Sequence, residues 1–140
     1  MKRRTLRGTV VPDTTKRLIV NDGRLNHGFR IVRFVCSGDP RDATDDSFCT
    51  LGLDADVPGT WDWGDNRQIA WASTHQRATN SVDAPFELVD KDKIVLMDLF
   101  IRGSSNSPYI NYYIEIEPVV LTQDESIMVL IKERSQDDLN

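Results

Sequence analysis

Tyr109-Ile110-Asn111-Tyr112-Tyr113-Ile114-Glu115-Ile116-Glu117 is the stretch that decides the fold class. Ile110, Tyr112, Ile114 and Ile116 fall on one side of an extended chain, and Asn111, Tyr113, Glu115 and Glu117 on the other. Period two with one apolar face marks a strand in an antiparallel sheet whose other face is wet. Upstream, Lys93 to Arg102 reads as the longest strand. Val95, Met97, Leu99 and Ile101 lie on one side and Ile94, Leu96, Asp98 and Phe100 on the other, so both faces are expected to be largely buried. Phe86 to Val89 and Gln68 to Ser73 are short strands around a polar loop from His75 to Asp83. Phe48 to Leu53 puts Cys49, Leu51 and Leu53 on one face, and Phe29 to Cys36 is apolar on both faces apart from Arg30 and Arg33.

Arg17 to Val20 and Leu6 to Val11 complete the set, the latter stopped by Pro12-Asp13. Asn21-Asp22-Gly23 is the strongest turn signal, because Asp-Gly supplies the positive φ that a tight hairpin needs. Residues 126–132 carry conflicting signals. Thr122-Gln123-Asp124-Glu125 fits a helix capping box, but Ile127, Val129 and Ile131 alternate, and a strand is expected. Eight or nine strands with loops between them imply an all-β chain, a two-sheet antiparallel β-sandwich of jelly-roll-like size. No repeat, linker or boundary divides it. The expectation is one domain over residues 1–140, with a short basic N-terminal arm (1–7) and a polar C-terminal tail (135–140).

The chain has 140 residues, 39% of them hydrophobic and 28% charged, an ordinary globular composition. No apolar run approaches the ~20 residues of a membrane span. Met1-Lys2-Arg3-Arg4-Thr5-Leu6-Arg7-Gly8 has the charge of a signal peptide without an apolar segment after it, so export by that route is not expected. The net charge of −5 conceals a split. Residues 1–35 carry nine basic and two acidic groups, a balance of +7, and the remainder carries −12. Residues 36–66 alone hold eight aspartates and one arginine. Such asymmetry can mark nucleic-acid binding, membrane-surface binding or head-to-tail contact between copies, and both signs interleaved on a folded surface account for it equally well. Nucleic acid is disfavoured, because the chain is acidic overall and its basic stretch lacks interleaved aromatics.

Catalytic and metal chemistry find little support. Cys36 and Cys49 are thirteen positions apart and His27 and His75 are far from each other, which is not zinc-ligand spacing. The two cysteines fall on neighbouring strands, and buried thiols are the preferred reading over a disulfide for assembly in a reducing cytosol. Asp54, Asp56, Asp62 and Asp65 put hard oxygen ligands in loops, yet no EF-hand spacing holds them together, and aspartate is common in turns. There is no Gly-x-Ser-x-Gly elbow and no phosphate-binding glycine loop. Glu115 and Glu117 stand about 7 Å apart by strand rise, but an exposed strand face accounts for them. No cofactor is implied, and the expectation is a protein that is not an enzyme.

Trp61-Asp62-Trp63 and Trp71, around Asp65-Asn66-Arg67-Gln68, are the most distinctive residues. Tryptophan and arginine are enriched at interface hot spots, and tryptophans beside Asp, Asn and Gln can also stack on a sugar ring. Core packing of Trp71, with Trp61 and Trp63 covering the end of the sandwich, is the third reading.

Asn21-Asp22-Gly23, Asp65-Asn66-Arg67-Gln68-Ile69-Ala70-Trp71-Ala72, Asn111-Tyr112-Tyr113-Ile114-Glu115 and Ile131-Lys132-Glu133-Arg134-Ser135-Gln136-Asp137 carry a resemblance. The pattern is similar to small β-rich virion proteins of bacteriophages, in particular capsid-associated or decoration proteins of marine phages. The resemblance implies a multi-copy structural protein of a viral shell, assembled in the host cytoplasm and working by interface geometry. Its partners would be other virion proteins and copies of itself. The residues expected at the interface are Lys2, Arg3, Arg4, Arg7, Trp61, Trp63 and Arg67. The alternative is a carbohydrate-binding or host-recognition sandwich with a saccharide as partner.

Overall fold

A computed structural model describes residues 3–20, 23, 26–39, 45–77, 81–129 and 131. The alternating stretch becomes the middle strand of the smaller of two sheets. β8 (Ile110–Val120) lies between β1 (Arg4–Val10) and β3 (His27–Ser37), antiparallel to both. Ile110, Tyr112, Ile114 and Ile116 are buried, and the three residues between them are only partly so. The larger sheet has the order β2-β7-β4-β5-β6, from β2 (Thr15–Leu18), β7 (Leu99–Ser105), β4 (Asp45–Gly52), β5 (Gln68–Arg77) and β6 (Ser81–Val89).

The pairs β1–β8, β2–β7 and β4–β5 are those of a long hairpin rolled over on itself, the order of a jelly roll. The fourth pair of that scheme, β3 with β6, is not a ladder. β6 instead extends the larger sheet beside β5, and its Glu87 reaches across to β3, where Oε1 accepts the Phe34 N–H at 3.0 Å. Phe34 follows the irregularity in the β3–β8 register between Ile31 and Arg33, so the carboxylate satisfies an amide at the sheet's edge. Between the layers lies one buried cluster that includes Phe34, Ile31, Leu51, Leu99, Ile101, Ile110 and Ile114.

Several expectations change. The basic arm is not an arm from Arg4 onward: Arg4, Leu6, Gly8 and Val10 lie opposite Ile116, Ile114, Tyr112 and Ile110 in a ladder with β8. Met1, Lys2 and the tail 135–140 lie outside the described residues, as do Asn21 and Asp22. The hairpin expected at Asn21-Asp22-Gly23 does not join paired strands, because β2 pairs with β7 and β3 with β8. Gly23 does take the positive φ, +84°. It serves a crossover between layers rather than a hairpin.

Lys93 to Arg102 is not one strand. Val95 exchanges backbone hydrogen bonds with Phe29 at 2.7 and 2.8 Å, against the smaller sheet, and the chain then enters the larger sheet at Leu99. That passage between layers buries Val95, Leu96 and Asp98 and leaves Met97 exposed, which breaks the alternation. The ninth strand is a helix over residues 123–129. The Thr122 side-chain oxygen accepts the Glu125 N–H at 3.2 Å, so the capping box prevailed over the alternation. Its Ile127 and Met128, with Ile131, are exposed.

Candidate interaction surface

Strand parity sorts β4, β5 and β6 into two faces. Cys49, Leu51, Ala70 and Ala72 point to the core, and Phe48, Thr50, Trp71, Ser73, Phe86 and Leu88 share the outer face. Ser73 sits in register between Phe48 and Phe86, and the small serine leaves a notch between two rings. Trp61, from the loop that joins β4 to β5, fills it. Its ring lies 5.8 Å from Phe48, edge-on, and 5.3 Å from Phe86, tilted by 31°. Its Nε1–H donates to the Cys49 carbonyl at 3.3 Å. His75 adds a further edge contact to Phe48 at 5.6 Å while its Nδ1 lies 2.9 Å from the Asp46 carboxylate.

The loop is held from beneath by Gln68, which is buried. Its Oε1 accepts the Trp71 Nε1–H at 2.8 Å and the Asp62 N–H at 2.9 Å, and its Nε2 donates to the Thr60 carbonyl at 3.0 Å. Trp63 is thereby placed edge-on over Trp71, centroids 6.1 Å apart, with 62% of its surface exposed. Phe86 and Leu88 on edge strand β6 are each 39% exposed. A tryptophan this open with two neighbouring apolar side chains uncovered is a surface patch rather than core.

The sequence-derived site residues therefore separate. Trp61 is a wedge, Trp63 the open member, and Trp71 a buried support. Arg67 spends its guanidinium on Asp65: Nε to Oδ1 at 3.0 Å and Nη2 to Oδ2 at 2.9 Å. This bidentate pair, with further help from the Arg67 N–H, holds the Asp65 carboxyl below its ordinary pKa against the opposing effect of burial. Asp65 thus serves the loop. Asp54 and Asp62 accept N–H bonds two residues on, from Asp56 and Gly64, as turn-forming aspartates do. Among the described residues no group of three His, Cys, Asp or Glu side chains is placed to hold a metal ion.

The basic residues lie elsewhere. Arg7 is on the outer face of the smaller sheet opposite Tyr113, Arg4 covers the Phe29 ring at 5.5 Å, and Arg3 borders a cleft with Arg30, Lys91, Asp92 and Glu117. Arg33 stands opposite Glu115 and Arg30 opposite Glu117, so the two glutamates face arginines on a wet sheet. Phe48, Phe86 and Leu88 were not singled out from sequence. Their signal was parity: each falls off the core face of its strand. The molecule is a β-sandwich of jelly-roll order with an aromatic patch on one outer face. In comparisons with known proteins, no family model and no curated protein matches the chain. No helix among the described residues is long and apolar enough to cross a membrane.

Proposed function

We propose that this chain is a multi-copy structural component of a bacteriophage shell, a capsid or associated virion protein that acts through subunit interfaces and catalyses no reaction. The observation that carries the reading is the open patch of Trp63, Phe86 and Leu88 on a rigid sheet face. Apolar rings left uncovered on a well-packed sandwich favour burial against another subunit, and tryptophan anchors such contacts. The exposed Ile127, Met128 and Ile131 give a second apolar surface. Jelly rolls serve in viral capsids and in lectins, which is analogy of fold and adds modest weight. Charge supplies orientation: Arg7 and Lys16, on edge strands β1 and β2, meet the exposed Asp56 and Asp62 of a neighbouring copy. The protein acts in the virion after assembly in the host cytoplasm.

The test replaces Trp63 by Ala and Phe86 and Leu88 by Ser, singly and together, in a particle-forming system. Incorporation, counted by electron microscopy and particle mass, is expected to fall at least tenfold with the fold unchanged. Full incorporation of the triple variant overturns the reading. A saccharide reading has one observation in its favour, the exposed Trp63 ring beside Asp62 and Asn66. It requires glycan binding that Trp63→Ala abolishes.

A further inference from the structure

We propose that Cys36 and Cys49 are a two-electron redox pair that closes into a disulfide between the two sheets when the chain meets an oxidised low-molecular-weight disulfide such as oxidised glutathione. The thiols come from opposite layers. Cys36, near the end of β3, lies opposite Tyr112 in the smaller sheet, and Cys49, in β4, lies opposite Ala72 and Gly103 in the larger. Both are free and buried, and both belong to the common core cluster.

Contacts across the layers hold the two segments against each other. The Thr74 hydroxyl of β5 donates to the Cys36 carbonyl, and the Cys36 thiol lies 3.9 Å from the Ser47 carbonyl of β4. The neighbouring Cys36 thiol, and then burial, push the Cys49 thiol up from its ordinary pKa. Gly103 makes the room: a Cβ there would stand 2.7 Å from the Cys49 sulfur. With the Cys36 sulfur 3.9 Å from the carbonyl of Ser47, two residues before Cys49 on the same strand, closing the bond asks for an approach of the two sulfurs and for no strand to change register.

The chemistry is thiol–disulfide exchange. One protein thiolate attacks the small disulfide, forms a mixed disulfide and expels one small thiolate. The second protein thiol loses its proton and displaces the other, which takes up that proton. Two protein thiols are oxidised by two electrons and two small thiols are formed. Burial and a raised pKa keep the thiolate scarce, so the closed fold reacts slowly. The pair stays reduced while the chain folds in a reducing compartment, and closes on opening of the core or on folding under oxidising conditions. The bond ties strands thirteen positions apart and adds to whatever assembly contributes, so it is independent of the proposed function.

The full-length chain, purified with a reductant, is equilibrated in reduced and oxidised glutathione at about pH 8. One portion stays folded throughout. Another is refolded from denaturant in the same buffer, which removes the kinetic block. Alkylation under denaturing conditions and intact mass then count the thiols. The refolded monomer is expected to take no alkyl groups and to weigh about 2 Da less, with a Tm about 10 °C higher that falls back on adding reductant. Cys36→Ala and Cys49→Ala each remove that response. The proposal is overturned if the refolded chain keeps two alkylatable thiols, is bridged only between chains, or is no more stable oxidised than reduced.

Discussion

The outer faces of the two sheets are built from opposite chemistry. On the smaller sheet, Arg7, Tyr113, Arg33 and Glu115 form a charged, solvated surface: Arg7 and Arg33 stand in register with Tyr113 and Glu115, and Tyr113 bonds Glu115 along its own strand. On the larger sheet, Phe48, Trp61 and Phe86 interlock in a row, and a loop lies over them. The first face would lose little by being left in water. The second leaves Trp63, Phe86 and Leu88 partly open at a cost, since exposed apolar area forgoes about 25 cal/mol per Å². The same fold thus has one face finished as surface and one face left unfinished, and the unfinished one is where a partner gains most.

The largest effect should come from Gln68→Leu. The volume is nearly kept, but the buried Trp71 Nε1–H and the Asp62 N–H lose their acceptor, and the Thr60 carbonyl loses its donor. Orphaning a buried donor costs about 1–3 kcal/mol, and the two loop groups are near enough to solvent to recover partners. A loss of about 2–3 kcal/mol in denaturant unfolding is expected, with tryptophan emission shifting as Trp63 leaves Trp71. A loss below about 0.5 kcal/mol would show that the aromatic face is not held from beneath, and the contrast between the faces would fail.

Asp65→Asn comes second and carries a pH signature. The carboxylate's folded pKa lies below its unfolded value because the Arg67 guanidinium hydrogen-bonds the charged form. A depressed acid stabilises the fold above the unfolded pKa, about 3.9, and that stabilisation is lost as pH falls through the lower folded value. The variant should be less stable than the native chain by about 1–2 kcal/mol at neutral pH, the two converging under acid. Parallel acid limbs in urea titrations from neutral to about pH 2 would remove the pair from the account.

How far these faces were legible depends on what set each strand. Ile110 to Ile116 declared itself because one side is core and the other water, so alternation and burial agree. Phe48, Ser73 and Phe86 were harder, since their row exists only once β4, β5 and β6 are in register, and register is not a local property. The pairing of β2 with β7 joins Arg17 to Phe100 across most of the chain, beyond any local pattern. Lys93 to Arg102 misled because a segment passing between two layers is apolar on both sides without being one strand. At residues 126–132 alternation pointed to a strand, yet Thr122 caps a helix. Of the site, Trp61 and Trp63 were legible as residues, while which one is wedge and which is open was decided by Ser73 and Gln68.

The smallest expected effect belongs to the wet face, and it is the sharper for being small. Tyr113 donates its hydroxyl to Glu115 Oε1 at 2.9 Å, and this bond raises the phenol's pKa above the ordinary tyrosine value, partly opposed by Arg33 and Arg7. The neutral phenol is the form that donates, so losing its proton means losing the bond and placing two negative charges side by side. Glu115→Gln keeps an acceptor and removes the charge. Stability should be indistinguishable from native in denaturant unfolding, as for an exposed pair. The alkaline titration of Tyr113, followed by ultraviolet absorbance against a Tyr113→Phe reference, should nevertheless move down in pH. Both halves matter: a clear change in titration with almost none in folding is what a finished surface does. A destabilisation matching that of Gln68→Leu would mean the charged face is as structural as the aromatic one, and the distinction between them would have to be abandoned.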